Sequence, residues 1–265
     1  MNDWIVNPDF GSLRPEAPAK RESVASGIVS TDVLSTSRMW YYLALKLRSS
    51  AGHLLSLDRL LLSDLLPEQV HNSALAIARC SLEDTTEVLW VLGPDASWET
   101  RLRRFSYLYL DSFCRMLENH KRIRKLRGLP NGDTEALEKL RTSIVAWIRG
   151  RGWVCANGKS PTAGRWRHDL PDITKRVRDA VSAWGYSPDL VEALYSSWSM
   201  PTHGNVFAID PSPARGSEEV EASAEVAQNA AERMSDEALY RFATWSGEQI
   251  DGMLGEWVWP KRQTH

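Results

Sequence analysis

From Thr31 onward, apolar residues return every three or four positions, and no stretch combines β-branched residues with sustained alternation. An interval of three to four places side chains on one stripe of a helix, whereas a half-buried strand needs a period of two. The chain is therefore restricted to helices that bury one face each. Leu34, Met39, Tyr42, Leu43, Leu47, Leu54, Leu57, Leu60 and Leu61 mark the first run, with Gly52 as its weak point and Pro67 as its end. A second run, Glu68 to Leu92, stops at Gly93-Pro94. Ser97 with Thr100 suits the start of a third helix, which Gly128-Leu129-Pro130 ends, and Asp133 to Arg149 reads as a fourth. Pro171-Asp172 opens a helix to about Trp184, and Ser187-Pro188-Asp189 opens another through Tyr195 to His203. A last, acidic helix is expected from Glu218 to Trp257.

The expected fold class is all-α: a single helical bundle of about six to eight helices with an irregular N-terminal arm. The arm is placed at 1–30, where Pro8, Pro15 and Pro18 stand among small and polar residues, and the bundle core at 31–210. Residues 211–265 form a C-terminal helical segment packed on the bundle or on a partner. Residues 150–170, rich in Gly, Arg, Trp and Pro, show no period and read as a long loop or basic flap. The longest apolar runs, such as Trp40 to Leu45, fall far short of the roughly 20 residues of a membrane span. No basic stretch followed by an apolar one opens the chain, so the cytoplasm is the expected location. Cys80, Cys114 and Cys155 are too widely spaced for a CxxC site and are expected to be small core residues.

The net charge of −2 conceals an uneven distribution, because residues 100–178 carry 19 Lys/Arg against 7 Asp/Glu. That segment holds +12 and the remainder −14. Such asymmetry fits either an anionic ligand or basic helices that face acidic ones, and the second is favoured. The 12 Trp residues point to a sizeable core or an aromatic pocket, each indole N–H needing a partner when buried.

Two constellations carry chemistry. Tyr195, Ser199 and His203 stand at i, i+4 and i+8, so a helix aligns a phenol, a hydroxyl and an imidazole on one face, with Thr202 beside them. Pro201 interrupts that helix and places His203 beyond a kink. Arg79 and Glu83 stand at i, i+4 in a largely apolar helix, so the pair is expected to face inward, either satisfying itself or holding a polar ligand. Glu68-x-x-His71 occurs once, whereas a di-iron bundle needs two such pairs, and no metal is expected. A glycine-rich phosphate loop and a Gly-x-Ser-x-Gly elbow are both absent from the sequence.

The stretch Ala78-Arg79-Cys80-Ser81-Leu82-Glu83 through Trp90, then Glu99 to Arg104, then Tyr195, Ser199 and His203-Gly204, resembles a group of uncharacterised helical proteins common in actinobacteria. That group shows Arg-x-x-x-Glu, a downstream Trp, an Arg-rich helix and Ser-x-x-x-His-Gly. The resemblance covers roughly residues 70–205 and implies a helical fold without an activity. Pro201 departs from the group's small or aliphatic residue. The arrangement is also loosely similar to the HEPN superfamily, whose nucleases place His a few residues after Arg. Arg48 with His53 and Arg115 with His120 match that spacing, but with 24 Arg and 6 His chance supplies about as many.

The leading expectation is a small-molecule enzyme or binder with a polar and aromatic pocket inside the bundle. It would perform cofactor-independent acid/base chemistry such as condensation, cyclisation or isomerisation. Glu83 and His203 would be catalytic, while Arg79, Tyr195, Ser199 and Thr202 would bind substrate. The expected partner is a small-molecule ligand, a homodimer is compatible with the aromatic content, and no cofactor is required. The alternatives are an HEPN-like RNA-binding protein or ribonuclease, using the basic run from His120 to Arg127, and a non-catalytic helical interaction protein.

Overall fold

A computed structural model describes residues 10–27, 34–62, 67–94, 96–128, 132–153, 172–182, 195 and 217–247. Among these the regular structure is one 3-10 turn, Phe10–Ser12, and seven helices, with no strand. They are α1 (Pro18–Ala25), α2 (Thr36–Leu61), α3 (Pro67–Val91), α4 (Trp98–Arg127), α5 (Gly132–Gly150), α6 (Ile173–Ser182) and α7 (Ser217–Ser246). The fold is all-α, as the periodicity requires. The expected helix through Ser199 and His203 lies outside the described residues except for Tyr195.

Helix ends follow their sequence signals. Ser97 caps α4 by accepting the Thr100 N–H at 3.2 Å, and Gly128 closes it in the left-handed region at φ 62°. Asp172 caps α6 in the same way, accepting the Lys175 N–H at 2.8 Å. Two details differ from the reading of composition. The N-terminal lead-in contains α1, because Pro18 sits at a first helical position where its missing N–H costs nothing. α2 passes through Gly52 without a break. The roughly 1 kcal/mol that Gly costs a helix is outweighed by the buried stripe of Leu43, Leu47, Leu54 and Leu57.

Two compact units divide these residues, and their segments interleave along the chain. The first comprises the described parts of 1–20, 40–92 and 172–265. Here α7 packs along α3. Ala74, Ala78, Ser81 and Thr85 on α3 and Ala227, Ala231, Ser235 and Ala238 on α7 are all buried, and such short side chains let two backbones approach closely. The hydroxyls of Ser50, Ser81 and Ser235 meet there, with Ser50 2.7 Å from Ser81 and 2.9 Å from Ser235, so the buried oxygens satisfy one another. Phe10, Trp40, Phe242 and Trp245 form a chain of ring contacts. The Trp40 indole nitrogen is nonetheless buried without a hydrogen-bond partner among the described residues. Gly247 follows α7 at φ 79°, where a Cβ would lie 2.7 Å from the Ala17 Cβ, so only glycine fits. α6 also packs on α3.

The second unit comprises the described parts of 21–39 and 93–171, and is built on α4 against α5. Leu102, Phe105, Leu108, Phe113 and Leu117 of α4 and Ile144 and Ile148 of α5 are buried at helical spacing. No helix among the described residues is long and apolar enough to cross a membrane.

Candidate functional site

On α3 the residues Arg79, Glu83, Glu87 and Trp90 recur at intervals of four, four and three, which places them on one stripe of the helix. Asp84 borders it. Ser81, Thr85 and Val88, on the other side of α3, are buried, so that side holds the helix and turns the polar stripe toward its edge. The stripe belongs to the first unit, as do its described partners Tyr42, Lys46, Arg176 and Tyr195.

At its N-terminal end Glu83 Oε1 takes two hydrogen bonds. Arg79 Nε donates at 2.8 Å from one turn earlier, and the Tyr195 hydroxyl donates at 2.5 Å from 112 residues away in sequence. The Arg79 guanidinium also lies 5.3 Å from the centre of the Tyr195 ring. Tyr195 is 2% exposed and Arg79 14%, whereas 36% of the Glu83 side chain is open to solvent. The pair expected to face inward is therefore a half-buried cation that, with a buried phenol, holds a carboxylate that a solute can reach. Burial, followed by the hydrogen bond to Glu83 and its charge, pushes the Tyr195 phenol well above its ordinary value, although Arg79 opposes this. Tyr195 consequently remains a proton donor across the physiological range.

Farther along, Lys46 from α2 bridges two carboxylates, 2.8 Å from Asp84 Oδ1 and 2.9 Å from Glu87 Oε2. Tyr42, one turn earlier on α2, donates to Glu87 Oε2 at 2.6 Å. Burial acts to lower the Lys46 pKa, but Glu87 foremost, with Tyr42 and Asp84, raises it well above the ordinary range. Arg176 from α6 approaches Glu87 Oε1 at 3.7 Å and the Trp90 ring at 5.9 Å. The Asp172 cap fixes the first turn of α6 and with it the place of Arg176.

Of the six site residues read from sequence, Arg79, Glu83 and Tyr195 meet in one cluster. Ser199, Thr202 and His203 lie outside the described residues. Tyr42, Lys46, Asp84, Glu87 and Arg176 were missed. Continuation of the four-residue spacing from Arg79 and Glu83 to Glu87 was a usable signal for one of them, and Tyr42 and Lys46 at i, i+4 was another. Among the described residues no group of three or more His, Cys, Asp or Glu is placed to hold a metal ion.

Other sequence expectations also receive a placement. Cys80 is exposed and Cys114 half-buried, which corrects their reading as core residues. Cys80 sits on α3 about 200° around the helix from buried Ala78 and Leu82, the rotation that a separation of two residues imposes. His53 lies 3.3 Å from the Ser49 hydroxyl and 3.7 Å from Asp84, and Arg115 pairs with Asp111 at 2.9 Å. The basic segment is partly neutralised within the second unit: Lys121 lies 2.5 Å and Arg141 2.8 Å from Glu138, and Arg101 pairs with Glu22. Comparison with protein-family models, curated proteins and solved structures yields no match.

Proposed function

We propose that the first unit binds a small polar molecule at the Arg79–Glu83–Tyr195 cluster and acts on it by cofactor-independent proton transfer. The observation that carries this reading is the placement of two donors on one oxygen of a partly exposed carboxylate. Both bonds fall on Oε1, and no described residue bonds Oε2. An oriented carboxylate with one oxygen engaged can accept a hydrogen bond or a proton from a ligand N–H or O–H through the other. Tyr195 and Arg79 keep that oxygen in place during the transfer, which is the positioning such chemistry needs. The candidate classes are condensation, cyclisation and isomerisation, with His203 as the complementary acid and Ser199 and Thr202 as orienting hydroxyls.

The test is a thermal-shift and native mass spectrometry screen of small polar compounds, followed by affinity measurement on Glu83→Gln. Binding that weakens by about tenfold or more, which is about 1.4 kcal/mol, supports the reading. Affinities unchanged in Glu83→Gln contradict it.

A second reading, an HEPN-like RNA-directed protein, draws on the exposed Arg122, Lys125 and Arg127 near the end of α4. It predicts retention of RNA at low ionic strength with a steep loss on adding salt. Absence of retention at low salt excludes it.

A further inference from the structure

The Glu87 end of the stripe contains a cation whose donors are not met. Arg176 is 8% exposed, and its Nε and Nη1 atoms are buried without a hydrogen-bond partner among the described residues. Glu87 Oε1 at 3.7 Å is an ion-pair neighbour but too far for a hydrogen bond. That carboxylate is already held through Oε2 by Tyr42 and Lys46, and Lys46 also occupies Asp84. The Trp90 ring offers the guanidinium a π face but no acceptor. Buried donors on a charged group are among the costliest to leave unmet, and no described residue supplies the acceptor.

We propose that Arg176 anchors the carboxylate of a small organic acid beside Trp90 and Glu87. This rests on the small-molecule reading of the Arg79–Glu83–Tyr195 cluster, one helical turn away, and names the substrate class of that site. A planar carboxylate matches the fork of a guanidinium. Phosphate is disfavoured, because its greater charge would be repelled by Asp84 and Glu87, whose nearest cations, Lys46 and Arg176, only balance them. A monocarboxylate leaves the smallest excess of charge.

The test titrates the full chain with benzoate, benzamide and inorganic phosphate, read by calorimetry and by saturation-transfer NMR. Benzoate is expected to bind, with benzamide and phosphate at least about tenfold weaker. Arg176→Gln is expected to lose benzoate binding by a similar factor and Arg176→Lys to retain part of it. Loss of the benzoate preference in Arg176→Gln is read without any Glu83 variant, since benzoate offers no N–H or O–H for Glu83 to accept. That result keeps the anchor even if Glu83 plays no part in ligand chemistry. Conversely, Glu83-dependent ligands found without any preference for carboxylates overturn the anchor alone. No benzoate binding, equal binding of benzamide or phosphate, or an unchanged Arg176→Gln each overturns the proposal. Should Arg176→Gln fail to fold, Arg176→Lys and the wild-type comparison of benzoate with benzamide still decide it.

Discussion

The Tyr195 hydroxyl is the residue-scale detail on which the candidate site turns, because it ties a distant segment to Glu83 through a hydrogen bond to a charged acceptor. Bonds of this kind contribute on the order of 1.5–3 kcal/mol. Because Glu83 is about a third exposed, the lower end applies, and Tyr195→Phe is expected to lower unfolding free energy by about 1–1.5 kcal/mol in urea titrations. The same residue and Lys46 set an alkaline limit. Both pKa values are raised above the ordinary 10.0 and 10.5, so above about pH 10 the folded state retains protons that the unfolded chain releases. Their contribution is fully present below that pH and is lost as pH rises through the folded values. The urea midpoint should therefore fall from about pH 10 upward, and fall less steeply in Tyr195→Phe and Lys46→Met. An identical slope in all three proteins contradicts the assignment. Arg79 and Glu83 were legible in the sequence because i, i+4 spacing fixes a helix face. Their bond to Tyr195 was not, because spacing says nothing about which distant residue a face meets.

Single glycines separate two effects at the scale of the element. Gly52 lies inside α2 with nothing within 4 Å of an added Cβ, so Gly52→Ala is expected to stabilise by about 0.5–1 kcal/mol through lower chain entropy. Gly247 is the opposite case, since its φ of 79° and the 2.7 Å approach to Ala17 make Gly247→Ala doubly unfavourable. Strain in the left-handed region costs about 1–2 kcal/mol and the clash adds to it. Adding Ala17→Gly should recover the clash portion only, which thermal denaturation of the single and double variants can read. Helix ends were legible where Gly, Pro, Ser or Asp punctuate the chain, as at Ser97, Gly128 and Asp172. α1 was not, because eight residues with a proline at the start and only Ala19 buried give no apolar stripe to detect.

For the whole molecule, the helical class was legible because a three- to four-residue period excludes a sheet wherever it is sustained. The compact units were not, since each gathers segments far apart in sequence and periodicity carries no information about which stripes meet. The charge asymmetry has a partly local answer, with Glu22, Asp111, Glu118 and Glu138 taking up basic groups of 100–178. Along α3 the carboxylates likewise recruit Tyr42, Lys46, Arg79, Arg176 and Tyr195. The most direct test of this account is a double-mutant cycle on ligand affinity. The tightest small molecule found by screening is titrated calorimetrically into wild type, Glu83→Gln, Tyr195→Phe and the double variant. If the cluster acts as one site, each single substitution weakens binding by about tenfold and the double variant loses little more than the worse single, a coupling of about 1 kcal/mol or greater. Unchanged affinity in the single variants, or losses that simply add, contradicts it.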